Sequence, residues 1–158
     1  MGYDMDATEF AARAENIKAK LYRMALLYAG SETMAVDAVD EAIFKGFKAF
    51  PKLRQPAFFD TWMTRILINE CKKQLRRGNR ELSFYTLPET EAAAYDTLPL
   101  KEAIRRLPPE LKEVVLLRFF SGFTLAETAQ SLEIPQGTVV TRQRRALSLL
   151  KLELSEEE

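Results

Sequence analysis

The stretch 124–151, TLAETAQSLEIPQGTVVTRQRRALSLLK, constrains this chain most, because it predicts two short helices separated by a tight turn. Thr124 and Glu127 have the S/T-x-x-E spacing of a capping box at the start of the first helix. Pro135 suits the first position of the second helix, where its missing N–H costs nothing. Together these signals predict a helix-turn-helix, a motif that places its second helix in the major groove of DNA.

The second helix of this motif separates an apolar face from a basic face. We expect Val139, Ala146 and Leu150 to pack inward. The side chains predicted to face outward, where they can bond base edges and phosphates, are Thr138, Thr141, Arg142, Arg144 and Arg145. A plain helical hairpin with a solvated basic face is the alternative interpretation. Glu133 stands where glycine is expected, which predicts either a strained left-handed residue or a turn of different geometry.

Composition limits both the chemistry and the location of the protein. The 158 residues include one cysteine, Cys71, and no histidine, which excludes an intramolecular disulfide, imidazole general bases and the usual zinc sites. We therefore predict no enzymatic activity, no cofactor and no metal. No apolar run reaches the ~20 residues of a membrane span, and the acidic N-terminus is unlike a signal peptide. We expect a cytoplasmic protein that is not itself a membrane protein.

Charge is distributed unevenly, although the formal net charge is zero. Residues 59–80 carry six basic and two acidic side chains, a local net charge of +4, whereas residues 151–158 carry one basic and four acidic side chains, a net −3. Because phosphate contacts dominate non-specific affinity for DNA, a neutral chain predicts weak DNA binding unless a partner helps.

Helical periodicity predicts an all-α fold of two small helical domains joined by a flexible linker. Helices are expected at 8–29, 32–49 and 58–77, with a loop at 51–57, and they form an N-terminal domain of residues 1–78. Periodicity is lost over 79–99, the predicted linker. Residues 100–158 form the C-terminal helix-turn-helix domain. We expect Phe47 to be buried in the first domain and Phe120 in the second.

The third predicted helix ends in a basic stripe. Asn69, Lys72, Lys73 and Arg76 lie at spacings of three or four on one face, where they can follow a phosphate backbone. Asn69 can also bond a base edge. Aromatic residues at 58, 59 and 62 precede the stripe, and they can either stack on unpaired bases or lie in the core.

Three segments, in this order, resemble an alternative sigma factor of the extracytoplasmic-function group. Residues 35–44, AVDAVDEAIF, are similar to the helix of that family that docks on the largest subunit of RNA polymerase. Residues 59–77 resemble its promoter-melting segment through Trp62, Arg65 and Asn69. Residues 107–146 resemble its C-terminal region, with the pattern IPQGTVVTRQRRA at 134–146. Asp40 departs from the pattern, which usually has glutamine there.

The resemblance implies a subunit that binds core RNA polymerase, recognises the −35 and −10 elements of promoter DNA and initiates transcription. The implied polymerase contacts are Asp37, Asp40, Glu41 and Phe44. The implied −10 contacts are Arg65, Asn69, Lys72, Lys73 and Arg76. The implied −35 contacts are the outward residues of the second helix of the helix-turn-helix. The family is usually controlled by an anti-sigma factor, often membrane-anchored.

Two other classes of protein remain compatible with these patterns. A free-standing helix-turn-helix regulator, whose N-terminal helices dimerise or sense a ligand, would bind a two-fold-symmetric site tightly by itself. An adaptor that uses both helical domains only for protein contacts would keep its activity when Arg144 and Arg145 are replaced by alanine.

Overall fold

Seven α-helices and no β-strand make up the described part of the chain, so the all-α fold class is confirmed. The structure, a computed structural model, describes residues 5–81 and 98–156, and the side chains of residues 5–77 and 99–151. The helices are α1 (Ala7–Ala29), α2 (Glu32–Ala49), α3 (Phe59–Glu81), α4 (Leu98–Arg106), α5 (Pro109–Val115), α6 (Leu125–Leu132) and α7 (Gln136–Glu156). None of the described helices combines the length and hydropathy that a bilayer crossing requires.

Local capping signals set the ends of the N-terminal helices (α1–α3). The Asp6 carboxylate accepts a hydrogen bond from the Glu9 amide at 2.8 Å where α1 begins. Gly30 ends α1 in a left-handed conformation, with φ of 76°, which glycine adopts without steric cost. Ser31 then caps α2 by accepting from the Met34 amide at 3.4 Å. The predicted end of the first helix at residue 29 and the predicted start of the second at residue 32 are confirmed.

The N-terminal helices enclose an aromatic core. The ring centroid of Phe10 lies 5.2 Å from that of Phe50 and 5.6 Å from that of Phe59. Phe59 is therefore a core residue and is not available to stack on a base. The prediction that Phe47 is buried is wrong, since 50% of this residue is exposed. The buried face of α2 includes Gly46. Phe47 is the next residue, so it lies about 100° further round the helix, away from that face.

The segments on either side of α3, which connect it to α2 and lead toward the C-terminal helices (α4–α7), differ from the sequence prediction. Two 3-10 turns, Phe50–Lys52 and Pro56–Phe58, replace the loop expected at 51–57. Helix α3 continues past its predicted end at Arg77 to Glu81, because one glycine weakens a helix by only about 1 kcal/mol. Residues 82–97 lie outside the described residues, so the linker at 79–99 and the domain boundaries stay predictions.

A π-helical segment, Leu116–Phe120, follows α5. Its wider turn is closed by the Ser121 amide, which donates to the Leu116 carbonyl oxygen at 2.9 Å. The extra residue per turn rotates the following side chains away from the core. Phe119 and Phe120 are consequently 51% and 45% exposed, so the prediction that Phe120 is buried is wrong.

The helix-turn-helix is present as α6 and α7. The Thr124 hydroxyl accepts from the Glu127 amide at 3.0 Å, and the Glu127 carboxylate accepts from the Thr124 amide at 2.9 Å, which confirms the capping box. Glu133 adopts the left-handed conformation with φ of 58°, the strained alternative of the two predicted. Helix α7 begins at Gln136, so Pro135 precedes the first helical position instead of occupying it.

The N-terminal and C-terminal helices pack against each other. Helix α4 lies against α1, and α6 lies against α3. One apolar cluster extends from Phe10 and Leu21 through Leu67 to Leu117. A second, smaller cluster of Val114, Ala129 and Val139 joins α5, α6 and α7. The sequence had left the placement of the two halves open, and the structure gives them a shared core.

We predict that Gly46→Ala destabilises the protein, although alanine is the better helix former by about 1 kcal/mol. A Cβ at Gly46 would lie 2.5 Å from Met63 Sδ and 3.2 Å from Phe10 Cζ. Such overpacking costs about 1–3 kcal/mol, so we expect a net loss of about 1 kcal/mol in the free energy of unfolding by urea. Gly137→Ala is the control, because a Cβ there meets nothing within 4 Å. An urea midpoint for Gly46→Ala at or above that of the unsubstituted protein would contradict this account.

Candidate nucleic-acid interface

Helix α3 carries the predicted basic stripe on the side opposite its buried face. Met63 and Leu67 point into the core and are fully buried. Asn69, Lys73 and Arg76 lie about half a turn away and are exposed. The helix therefore presents an amide and two cations to solvent along one line.

Lys72 of the stripe and Arg65, one helical turn before Asn69, are engaged by carboxylates from the C-terminal half. Lys72 Nζ lies 2.6 Å from Glu113 Oε1 of α5. Arg65 forms an ion pair with Glu133, the turn residue between α6 and α7. The Arg65 pair is solvent-exposed on both sides, and such pairs contribute about 0–1 kcal/mol. The Lys72 pair is different, because its carboxylate is buried.

Glu113 lies at the centre of a small polar cluster between the two halves. It is 3% exposed, and it accepts a hydrogen bond from Tyr28 Oη of α1 at 3.4 Å in addition to its contact with Lys72. The neighbouring Lys112 donates to the main-chain carbonyl oxygen of Tyr28 at 3.2 Å. Burial lowers the pKa of Lys112 and raises the pKa of Tyr28.

Sequence reasoning missed this cluster. Its one local signal is the Lys112–Glu113 dipeptide, two opposite charges directly before the apolar run VVLL. Charged residues are almost never fully buried unless they are paired, so charges in an apolar helix indicate partners elsewhere in the fold. The sequence gives no indication that those partners are Tyr28 and Lys72.

Helix α7 presents the second predicted DNA-binding surface. Val139, Ala146 and Leu150 are buried, as expected for its inward face. The predicted outward residues are exposed or partly exposed, and they are Thr138, Thr141, Arg142, Arg144 and Arg145. A groove beside α7 is lined by four of them together with Glu110 of α5. The N-terminal half of α7 is therefore accessible, with one carboxylate beside it.

The two cationic surfaces lie close together. The pKa of Lys72 is lowered by burial first, and then by the nearby guanidinium groups of Arg76 and Arg142. Arg76 belongs to the stripe on α3, whereas Arg142 belongs to α7. The structure thus brings together parts of the two predicted sites that the sequence placed in separate domains.

The predicted polymerase-binding residues lie on the outer face of α2. Phe44 is 53% exposed, and the ammonium of Lys48 lies 4.3 Å from the centroid of its ring. Asp37, Asp40 and Glu41 are exposed and line a cleft between α2 and α3. This face therefore carries one exposed aromatic ring and three carboxylates.

Comparison with known proteins identifies both halves of the chain. A family model described as Sigma-70 region 2 matches residues 14–81, and one described as Sigma-70, region 4 matches residues 103–152. The RNA polymerase sigma factor SigV of Bacillus subtilis is 30% identical over 89% of this chain and 88% of its own length. The chain belongs to the sigma-70 family, in its extracytoplasmic-function (ECF) group. The ECF sigma factor SigM of Mycobacterium tuberculosis is 28% identical over 83% of this sigma factor and 69% of its own length.

Solved structures share the fold of this sigma factor. The sigma factor RpoE of Bartonella quintana, solved with the anti-sigma factor NepR, has a TM-score of 0.79 at 21% identity. That match covers 96% of this chain and 100% of the other. CnrH, solved with the cytosolic domain of CnrY, has a TM-score of 0.74 at 20% identity, covering 97% and 92%. At this identity the likeness is one of fold.

All the candidate site residues of the sigma factor fall within the two matched regions. The outer face of α2 and the stripe on α3 lie in the region 2 match, and the outward residues of α7 lie in the region 4 match. The protein is an alternative sigma factor, a DNA-binding transcription initiation factor without enzymatic activity.

We expect Cys71 of this sigma factor to react slowly with thiol reagents. Its side chain is 1% exposed, and burial raises its pKa to about 12. Because the thiolate is the reactive form, its reactive fraction at pH 8 is roughly 10³-fold below that of an ordinary cysteine with a pKa near 8.5. Modification by DTNB should be slower by at least that factor in the native protein than in concentrated urea. Equal rates in the two conditions would show that the thiol is accessible.

Proposed function

We propose that this sigma factor binds core RNA polymerase through the outer face of α2 and directs it to promoters through α3 and α7. The observation that carries the proposal is the exposed line of Asn69, Lys73 and Arg76 on α3, because these side chains make no contribution to the core. Such a line of amide and cationic groups suits a nucleic-acid backbone with adjacent base edges.

The stripe on α3 is assigned to the −10 element. Lys72, Lys73 and Arg76 would neutralise phosphates, and Arg65 would extend this contact toward the start of the helix. Asn69 would read a base edge, since its amide both donates and accepts hydrogen bonds. The burial of Phe59 supports hydrogen bonding and charge, in preference to stacking on that ring, as the means of recognition.

The N-terminal half of α7 is assigned to the −35 element. Arg144 and Arg145 are exposed, and arginine is the side chain that most often recognises guanine in the major groove. Thr141 donates its hydroxyl to the carbonyl oxygen of Gly137 at 3.0 Å, which leaves its methyl group and both lone pairs of the hydroxyl oxygen for DNA.

We further propose an anti-sigma partner. Two proteins with the same fold were solved with a partner: the sigma factor RpoE with the anti-sigma factor NepR, and CnrH with the cytosolic domain of CnrY. These complexes support the assignment of a comparable inhibitor to this chain. This sigma factor would act in the cytoplasm, where core polymerase and promoter DNA are found.

Run-off transcription with purified core RNA polymerase tests the proposal. A mixed library of genomic promoter fragments should give discrete new transcripts when the protein is added. Asn69→Ala should reduce them about 10-fold or more, because loss of a base contact costs roughly 1–3 kcal/mol.

Asn16→Ala is the matched control for this experiment, since it makes the same change at an exposed position on α1, outside the proposed contacts. It should transcribe as well as the unsubstituted protein. No transcripts from any template, together with tight binding of the protein alone to a symmetric duplex, would favour the free-standing regulator instead.

Phe44→Ala should weaken binding to core polymerase without destabilising the protein. The ring is half exposed, so its removal leaves no cavity, whereas an aromatic anchor in an interface is typically worth about 2 kcal/mol or more. We expect the Kd for core enzyme, measured by fluorescence anisotropy, to rise roughly 30-fold. Phe119→Ala, which removes a ring of similar exposure on the π-helical segment, controls for general loss of apolar surface. Equal Kd values for Phe44→Ala and the unsubstituted chain would place the polymerase contact elsewhere.

A further inference from the structure

Arg118 joins the π-helical segment to both helices of the helix-turn-helix. Its Nε atom donates to Gln143 Oε1 of α7 at 2.8 Å, and its Nη1 atom donates to the main-chain carbonyl oxygen of Phe123 at 2.6 Å. Phe123 directly precedes Thr124, the residue that caps α6. One guanidinium group therefore contacts both the middle of α7 and the chain that enters α6.

Gln143 interrupts the inward face of α7. Val139, Gln143, Ala146 and Leu150 follow one another at spacings of four, three and four, so they share one side of the helix. The other three are apolar and buried, whereas Gln143 is half-buried. Val139 belongs to the smaller apolar cluster, and Ala146 and Leu150 belong to the larger one. The glutamine therefore lies at the junction between the two clusters.

The hydrogen bond to Arg118 limits how α7 can turn. Apolar contacts at Val139 and Ala146 have no direction, so small rotations of the helix preserve them. A hydrogen bond, in contrast, weakens steeply as its angle departs from linearity. A polar side chain in an apolar seam fixes the register of coiled coils in a similar way. The guanidinium is held at a second point by the Phe123 carbonyl oxygen, so it gives Gln143 a fixed partner.

The rotation of α7 determines where its DNA-facing side chains point. Thr141 and Arg145 lie two residues before and after Gln143, about 200° round the helix, and so point to the opposite side. A side-chain atom about 6 Å from the helix axis moves by about 1 Å when the helix turns by about 10°. That displacement exceeds the roughly 0.5 Å within which a binding geometry must be held. The Arg118–Gln143 hydrogen bond thus acts on residues that it does not touch.

We propose that Gln143 and Arg118 are positioning residues for recognition of the −35 element, and that they hold α7 in the rotation that aligns its outward side chains with base edges. This inference rests on the proposed function, because it takes α7 to read the −35 element. Neither residue needs to touch DNA. Their effect is on the choice of sequence, since α7 offers the same positive charge to phosphates in any rotation.

Gln143→Leu tests the proposal, because it removes the acceptor and completes the apolar face of α7. Run-off transcription with core RNA polymerase is measured on one promoter from the genomic library and on its single-base substitutions in the −35 element. The −35 ratio is the yield from the parent promoter divided by the mean yield from the substituted templates. Inactive protein lowers both yields equally, so a substitution that only destabilises the fold leaves this ratio unchanged.

We expect Gln143→Leu to lower the −35 ratio about 5-fold or more, the low end of what one well-formed base contact contributes. The corresponding ratio for substitutions in the −10 element of the same promoter should stay within about 2-fold, because the residues of α3 are unchanged.

Arg118→Lys is a second variant that tests the same hydrogen bond. It keeps the positive charge without the planar fork that reaches two acceptors, so it should lower the −35 ratio as Gln143→Leu does. Adding Gln143→Leu to Arg118→Lys should change the ratio by less than about 2-fold further, because the hydrogen bond is already absent.

Two substitutions serve as controls. Gln130→Leu makes the same change at an exposed position on α6, and it should leave both ratios unchanged. Gln143→Glu keeps an oxygen acceptor for Arg118, so it should retain the −35 ratio of the unsubstituted chain.

An unchanged −35 ratio in a Gln143→Leu protein that transcribes would overturn the inference and leave the proposed function standing. Equal falls in the −35 and −10 ratios would overturn it as well, because a rotation of α7 does not alter the side chains of α3. If Gln143→Leu fails to fold, as judged by circular dichroism, the −35 ratio of Arg118→Lys decides. If the unsubstituted chain gives no transcripts, the proposed function falls, and the inference falls with it.

Discussion

The packing of the two halves of this sigma factor depends on the buried carboxylate of Glu113. A charge that is 3% exposed costs several kcal/mol unless partners compensate for the lost water. Tyr28 and Lys72 are those partners, and because they come from α1 and α3, α5 fits against both helices in one orientation. Apolar burial supplies most of the stabilisation but has no direction. The polar contacts select the register in which that burial occurs.

The cations of α3 are subject to two competing demands. The fold needs Lys72 to neutralise Glu113, whereas the proposed recognition of the −10 element needs the same ammonium to neutralise a phosphate. The chain as a whole has no net charge with which to attract DNA, so every carboxylate beside the stripe weakens that attraction further.

Short-range rules predicted the helices well and the exposed aromatics poorly. Ser31 and the Thr124–Glu127 pair act within four residues of themselves, so their capping roles follow from the sequence. Phe47 and Phe120 fit the apolar pattern of a regular helix and are nevertheless half exposed. For Phe47, the buried face of α2 is centred one residue earlier, at Gly46. For Phe120, a π-helical turn rotates the side chains that follow away from the core. Both effects depend on the neighbouring helices, which no local pattern describes.

The sequence by itself determined the all-α fold, the helix-turn-helix, the stripe on α3 and membership of the sigma-70 family. Each of these features depends on residue types that lie only a few positions apart in the chain. Only the tertiary structure decided what those surfaces face. Tyr28 and Glu113 are 85 residues apart, and nothing in the periodicity of α1 or α5 selects this pair from the other possible partners. The selection comes from desolvation, since a carboxylate is tolerated in the interior only where the fold brings a donor and a cation to it.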